Sequence, residues 1–118
     1  MGCSWTEEKA EEYLSDYVQN LKFIGFVSEN EGIIDGALFA CEKVCWNANE
    51  VHVDEMFVAP ERQKSGIGKA LDDALKSYCK EKGLAGIVLY TAEAAPAKLF
   101  YEKNGFKVSD GVICMYWI

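Results

Sequence analysis

The sequence has little of the chemistry that nucleic-acid and membrane proteins require. It carries 12 basic residues against 19 acidic ones, which gives a net charge of −7. A nucleic-acid interface needs basic side chains to neutralise phosphates, so this charge argues against such a partner. No apolar run approaches the length that crosses a membrane, and the first residues lack the apolar core of a signal sequence. We therefore expect a cytoplasmic protein that binds neither nucleic acid nor membrane.

Metal ligands and disulfide patterns are also scarce. There is one histidine, and the five cysteines are scattered, with only Cys41 and Cys45 close together. This pattern favours neither a zinc site nor a disulfide framework, so we expect no metal and reduced, mostly buried thiols. Half of the residues are apolar, and no linker or repeat interrupts residues 1–118, which predicts a single folded domain. The acidic surface favours a cationic or amine partner, although solubility alone explains it as well.

The spacing of apolar residues predicts the order of helices and strands. Residues 4–20 form an amphipathic helix that begins with a capping box, Ser4 to Glu7. Its aromatic stripe either borders a substrate pocket or faces the core, and the second interpretation is the simpler one. Strands follow at residues 22–28, 33–46 and 51–58, the second of them long enough to contain a bulge. Gly83 ends the next helix, at residues 67–82.

The remaining chain predicts a mixed sheet. A short apolar strand at residues 86–91 follows a strand and a helix, so it should lie parallel to residues 51–58 through a right-handed crossover. Pro96 starts a last helix, which ends at Asn104 and Gly105. Residues 106–109 and 112–118 then predict two more strands around a turn at residues 110 and 111. The fold class is α/β (α+β), with a mostly antiparallel sheet and flanking helices.

The loop between the third strand and its following helix predicts an anion site. Two glycines allow close approach to the first amides of the helix, and two lysines add positive charge. The loop residues are Gln63, Lys64, Ser65, Gly66, Ile67, Gly68 and Lys69. A P-loop needs four residues between its glycines, and a dinucleotide fingerprint needs a small residue where Leu71 stands. Both of those nucleotide sites are therefore excluded.

Two motifs together resemble the GCN5-related N-acetyltransferase (GNAT) family. The first is Gln-x-x-Gly-x-Gly at residues 63–68, and the second is Ala-x-x-x-Tyr-Glu-Lys-x-Gly-Phe at residues 97–106. The resemblance implies a GNAT-type acyl-CoA N-acyltransferase fold in which the strands at residues 51–58 and 86–91 splay apart around acetyl-CoA. Its implied cofactor contacts are Met56, Phe57, Val58, Gln63, Lys64, Ser65, Gly66, Ile67, Gly68, Lys69, Ala97, Phe100 and Lys103.

The same resemblance implies direct attack of an amine on the thioester. Tyr101 is then the acid for the departing thiolate, and the backbone N–H of Val58 polarises the acetyl oxygen. The base is a carboxylate or histidine on the strand before the loop, with Asp54 preferred over His52. Glu55 takes the role if a bulge rotates the strand. Strict alternation places His52, Asp54, Met56 and Val58 on one face and Val51, Val53, Glu55 and Phe57 on the other.

The sequence departs from the family pattern in three places. Ala94 stands where many relatives have Asn, and Gln63 stands where many have Arg. The N-terminal elements are reduced, so the wall of the acceptor site is either open or completed by a second subunit in a homodimer. Two functions remain. One is an N-acetyltransferase acting on a small-molecule or peptide amine, and the other is a CoA-binding sensor or interaction module with weak catalysis.

Overall fold

The structure, a computed structural model, describes residues 6–19, 22–91 and 94–118. Three α-helices and four strands alternate along it. They are α1 (Glu7–Gln19), β1 (Phe23–Asn30), β2 (Ile33–Lys43), β3 (Glu50–Val58), α2 (Ile67–Lys82), β4 (Ile87–Leu89) and α3 (Pro96–Lys103), with a 3-10 turn at Pro60–Arg62. None of these helices is both long and apolar enough to cross a lipid bilayer.

The four strands form one mixed sheet in the order β1-β2-β3-β4. The first two pairings are antiparallel, and β3 pairs with β4 in parallel, which confirms the predicted crossover through α2. Only three residues of β3, from Val51 to Val53, have partners on β4. Beyond Val53 the two parallel strands separate, as the family resemblance implied. The sheet is therefore open along the second half of β3.

A β-bulge lies at the point where β3 leaves β4. Phe39 of β2 pairs with Glu55, whereas the next residue, Ala40, pairs with Val53. Asp54 is thus an extra residue on β3. A bulge of this kind bends the strand and reverses its alternation from that residue onward.

The bulge makes the predicted assignment of strand faces wrong. Four residues of β3 contact the same core, on the α2 side of the sheet: Val51, Val53, Met56 and Val58. Strict alternation had put the first two of these on the face opposite the last two. Glu55 and Phe57 consequently lie on the other face, with His52, because the pleat continues regularly on each side of the extra residue.

The core lies between that sheet face and α2. Its buried members are Ile24, Leu38, Ala40, Val51, Ile67, Leu71, Leu75 and Cys79. Each fully buried aliphatic side chain stabilises the fold by roughly 1.5–3 kcal/mol. Gly36 on β2 allows α2 to pack this closely, because a Cβ there would lie 2.8 Å from Cγ2 of Ile67. The first turn of α2 is thereby fixed against the sheet beside the open part of β3.

The predicted ends of the chain are only partly correct. Thr6 caps α1, since its Oγ1 accepts the Lys9 N–H at 3.1 Å, and Ser4 of the predicted capping box lies outside the described residues. The two predicted strands at residues 106–109 and 112–118 are wrong, because both segments are irregular. Their apolar side chains are exposed, Trp117 by 94%. Their β-branched and aromatic residues favour strands, but a strand forms only where a neighbouring strand pairs with it.

The cysteines differ from the expectation of mostly buried thiols. Cys79 is buried, Cys41 and Cys45 are half-buried, and Cys114 is exposed. Cys3 lies outside the described residues. Cys45, Cys79 and Cys114 are free thiols. Burial raises the pKa of Cys41 and Cys79, so both stay protonated and weakly nucleophilic.

Candidate active site

The glycine loop connects the open end of β3 to α2. Gly66 stands at the N-cap of α2 with φ 88° and ψ 2°, a left-handed conformation that favours glycine. A Cβ at Gly66 would meet nothing within 4 Å, so the space in front of the first helical amides is open. Lys64 also has a positive φ, of 65°. An anion in this space would receive N–H groups that have no partner within the helix.

The loop is tied to the sheet by a buried carboxylate. Asp35 on β2 is 5% exposed, and its Oδ2 lies 3.4 Å from Nε of Arg62. Its backbone carbonyl accepts the Ala59 N–H at 2.8 Å. Sequence analysis missed both partners of this ion pair. The available signal was a single acid inside an apolar stretch, because a buried carboxylate needs a cationic partner.

A cleft of about 660 Å³ lies along the loop, between the end of β3 and the start of α3. Ten of the residues predicted to bind the cofactor line it: Met56, Phe57, Val58, Gln63, Lys64, Gly66, Gly68, Lys69, Ala97 and Phe100. Ser65, Ile67 and Lys103 are not among its lining residues, and the side chain of Ile67 is in the core. Three lining residues were not among the predicted cofactor contacts: Pro60, Arg62 and Pro96.

The two glycines of the loop have different structural roles. Gly66 provides the left-handed turn, whereas Gly68 lies within α2 and faces α3. A Cβ at Gly68 would lie 3.2 Å from Cε1 of Phe100, which is tighter than ordinary van der Waals contact. Gly68 therefore brings the first turn of α2 against the aromatic ring that forms one side of the cleft.

Tyr101 lies next to the cleft rather than in its lining. It borders a smaller cavity of about 220 Å³ between β4 and α3, together with Val88 and Leu89. Its ring packs edge-on against Phe100 and Phe106, each with centroids 5.2 Å apart. Burial raises the pKa of Tyr101, and the negative charges of Asp72 and Glu55 raise it further. The hydroxyl is therefore protonated at neutral pH and able to donate a hydrogen bond.

A buried ion pair on α2 supports the end of α3 that carries Tyr101. Asp72 is 1% exposed, and its Oδ2 lies 2.7 Å from Nζ of Lys76. The same Nζ donates to the Asn104 carbonyl and lies 5.0 Å from the centroid of the Phe106 ring. Asn104 in turn donates its N–H to the Tyr101 carbonyl at 3.0 Å. Lys76 thus connects α2 to the turn that follows Tyr101.

The three candidate bases lie at different points of β3. His52 is in the part paired with β4, and its Nε2 is 3.3 Å from Oε1 of Glu50. Asp54 is the extra residue of the bulge, and Glu55 follows it at the start of the open part. Burial raises the pKa of Asp54. Burial and the charge of Asp54 raise that of Glu55, which makes both carboxylates better proton acceptors than an exposed acid.

A second cavity, of about 270 Å³, lies on the face of the sheet that carries α1. It is lined by Ala10, Tyr13, Leu14, Phe39, Glu55 and Phe57. Among the described α1 side chains, Ala10, Tyr13 and Leu14 line this cavity and none belongs to the buried core, which favours the pocket interpretation of the stripe over the core-facing one. Burial, followed by the charges of Glu55, Asp54 and Cys41, raises the pKa of Tyr13 to about 12.

The fold and the loop define an acyl-CoA-dependent transferase domain. The model of the acetyltransferase (GNAT) domain family matches residues 22–108, about three quarters of the chain, and the chain belongs to this family. This confirms the family resemblance, the fold class and acetyl-CoA as the family's cofactor. The open space before Gly66 and the three cationic side chains Arg62, Lys64 and Lys69 around the cleft fit the pyrophosphate of that cofactor.

Individual relatives show how far the similarity extends. Mycothiol acetyltransferase of Arthrobacter sp. (strain FB24) is 48% identical over 50 residues, which cover 42% of this chain and 16% of that protein. The chain thus spans a minor part of its curated relative. An aminoglycoside acetyltransferase from an uncultured soil metagenomic sample has a TM-score of 0.80 at 22% identity, over 99% of this chain and 77% of that one. An aminoglycoside N-acetyltransferase in complex with CoA has a TM-score of 0.76 at 20% identity, over 94% of this chain and 87% of that one.

Proposed function

We propose that this chain is a single-domain N-acetyltransferase that transfers the acetyl group of acetyl-CoA to a primary amine by direct attack. One observation carries the proposal. β3 leaves β4 at a bulge that places two carboxylates of raised pKa directly before Met56 to Val58, the strand residues that line the cleft. A CoA-binding sensor would need the cleft, but it would not need carboxylates whose pKa is raised.

The cofactor would be held mainly by backbone. The amides of residues 63–68 and the side chains of Lys64 and Lys69 would bind the pyrophosphate, and the exposed edge of Met56 to Val58 would pair with the pantetheine arm. Bound acetyl-CoA supplies an activated thioester carbonyl close to the open part of β3. The Val58 N–H is the proposed donor to the oxygen of that carbonyl.

Glu55 is the base that the geometry supports best, ahead of Asp54. It lies at the start of the open part of β3 and lines the α1 cavity, which shares Phe57 with the cofactor cleft. Its negative charge also raises the pKa of Tyr101. Asp54 is the extra residue of the bulge and lines none of the three cavities. His52 is paired with Glu50 in the closed part of the sheet, which makes it the weakest candidate.

The reaction then balances in one transfer. The ammonium gives a proton to Glu55, and the free amine forms a nitrogen–carbon bond to the acetyl group. The carbon–sulfur bond breaks with its electron pair on sulfur, where the Tyr101 hydroxyl donates a hydrogen bond and then its proton. The acylated nitrogen loses its second proton to the Tyr101 phenolate through solvent, which restores the hydroxyl, and Glu55 then releases its proton to solvent. Because its pKa is raised, Tyr101 remains protonated until the thiolate develops. Its contribution is greatest at the stage at which negative charge reaches the sulfur.

The test measures the release of CoA thiol from acetyl-CoA in the presence of candidate acceptors: monoamines, polyamines, aminoglycosides and lysine peptides. We expect turnover on at least one amine, and we expect Tyr101→Phe to lower kcat about 10-fold to 100-fold while acetyl-CoA affinity stays at the parental level. Tight acetyl-CoA binding without turnover on any amine would support the sensor instead. Parental turnover in Tyr101→Phe would remove Tyr101 from its role as acid.

A further inference from the structure

We propose that the cavity between α1 and the sheet selects a primary amine carried on one compact apolar group, such as an aromatic ring or short aliphatic chain. The proposal rests on the acetyl transfer proposed above and assigns its acceptor class. Three aromatic side chains, Tyr13, Phe39 and Phe57, form most of the wall, and Leu14 completes it on the α1 side. The Phe39 and Phe57 rings meet edge-on, with centroids 6.4 Å apart.

The position of this cavity fits an acceptor site. Phe57 lines both the α1 cavity and the cofactor cleft, so the two spaces adjoin at the open part of β3. Glu55, the proposed base, lines the cavity but not the cleft. An amine paired with Glu55 would therefore reach the cleft from the side opposite α2, with its apolar group against the rings.

The charge of the cavity limits the number of ammonium groups that it accepts. Among the described residues of its lining, Glu55 is the one carboxylate, and Tyr13, with a pKa of about 12, is neutral at physiological pH. A single ammonium can pair with Glu55 and also gains from nearby aromatic faces. The charge of Asp54 also reaches Tyr13 and Glu55, but Asp54 is not among the described lining residues. A second ammonium on the same acceptor would therefore lie against apolar walls, which is unfavourable.

Other acids of α1 do not change this conclusion. The acids of α1 are all exposed to solvent, so salt and water screen them: Glu7, Glu8, Glu11, Glu12 and Asp16. Charges of this kind raise the rate at which a cation arrives more than they discriminate between cations. Selection between acceptors is therefore left to the lining of the cavity. Its volume of about 270 Å³ is just below the roughly 300–1,000 Å³ of common ligand clefts, which favours a compact group.

The test compares acceptors that share a primary amine. We expect the kcat/KM for 2-phenylethylamine to exceed those for ethanolamine and spermidine by about 10-fold or more. Ethanolamine lacks the apolar group that contacts the rings, and spermidine brings additional ammonium groups that have no partner in the cavity lining. Calorimetry with 2-phenylethylamine, in the presence of CoA, gives a readout that does not need turnover. Binding of 2-phenylethylamine without turnover on any amine would reject acetyl transfer but retain the apolar amine site.

A pair of matched variants tests whether the α1 cavity determines which amine is preferred. Leu14→Asp adds a carboxylate to the lining at a side chain that is 43% exposed, so folding should be preserved. We expect it to lower kcat/KM for 2-phenylethylamine about 10-fold and to narrow the gap to spermidine, while Leu14→Met keeps the parental preference. Leu99→Asp is the control, because Leu99 is 65% exposed on α3 and lines none of the three cavities.

The outcomes separate the two proposals. Turnover that favours spermidine or an aminoglycoside, with no effect of Leu14→Asp, would overturn the apolar acceptor while acetyl transfer stands. Equal losses in Leu14→Asp and Leu99→Asp would show a general effect of added charge and would also overturn the site. A loss in Leu14→Asp alone, seen in binding as well as in kcat/KM, is the result that supports it.

Discussion

The cofactor cleft and the proposed acceptor cavity of this domain are built in different ways. The cleft comes mostly from one continuous stretch, from Met56 through Lys69, with a second contribution from the first five residues of α3. The proposed acceptor cavity instead combines α1 with residues of β2 and β3 that are far apart in sequence. A pyrophosphate is recognised by backbone amides in a fixed loop, whereas an amine is recognised by side chains from several elements.

The difference has a physical origin. Amides at a helix N-terminus are positioned by the local turn, so a short motif is enough to specify them. An aromatic cavity depends on how α1 packs against the sheet, and the sequence gives this packing only as an amphipathic pattern. Relatives that share the loop can therefore differ in the acceptor. The following predictions test this division, beginning with the cofactor side.

Gly66→Glu should have the largest effect. The side chain would enter the open space before the α2 amides, and its negative charge would repel a pyrophosphate there. We expect acetyl-CoA affinity, measured by calorimetry, to fall by at least about 100-fold. Gly66→Asn is the matched control, since Asn tolerates a left-handed backbone and adds no charge. An affinity close to the parental value in Gly66→Glu would show that the loop does not hold the cofactor.

Glu55→Gln tests whether the acceptor side also carries the base. We expect kcat to fall about 100-fold, the typical lower range for loss of a general base, with acetyl-CoA affinity unchanged. Asp54→Asn should have a smaller effect. The reverse order would transfer the role to Asp54 and would detach the base from the α1 cavity.

The same variant should increase stability at neutral pH. A carboxyl whose pKa is raised in the folded state binds more protons there than in the unfolded state, so stability falls as pH rises through that window. Glu55→Gln removes this cost. Its melting temperature should exceed the parental value at pH 7, and the difference should disappear below about pH 4, where Glu55 is protonated in both states. A lower melting temperature at pH 7 would mean that Glu55 has stabilising partners.

The sequence predicted the cofactor side in more detail than the acceptor side. The family resemblance carried by the Gly-x-Gly loop and the α3 motif implied ten of the residues that line the cleft, and chain order predicted the crossover. The bulge at Asp54 could not be located, since it depends on how β2 and β3 pair. That one residue moved Glu55 to the face opposite Val53 and made it the preferred base.

The other errors also concern tertiary context. The segment at residues 112–118 has the composition of a strand, but a strand forms only where a neighbour offers its hydrogen-bonding edge. The aromatic stripe of α1 was compatible with a core or a pocket, and periodicity alone does not separate them. Asp72 and Lys76 have the four-residue spacing that is typical of a solvated helix face, whereas Asp72 is 1% exposed.

Two ion pairs on α2 extend the comparison to the cofactor side. Lys69–Asp73 and Lys76–Asp72 have the same spacing, and each nitrogen–oxygen distance is 2.7 Å. The first pair is exposed, whereas Asp72 is buried and Lys76 also holds the Asn104 carbonyl. An exposed pair contributes little because water and salt screen it, but removal of one partner of a buried pair leaves an uncompensated charge.

Lys76→Met should therefore lower the free energy of unfolding by about 2 kcal/mol, a value reduced from the 3–5 kcal/mol of fully buried pairs because Lys76 is one-third exposed. Asp73→Asn should leave the free energy of unfolding close to the parental value. Urea unfolding at low and high salt measures both, and only the small effect of Asp73→Asn should depend on salt. Equal effects of the two variants would mean that Asp72 is solvated, and the end of α3 that carries Tyr101 would then be held by the Phe106 and Phe100 rings rather than by Lys76.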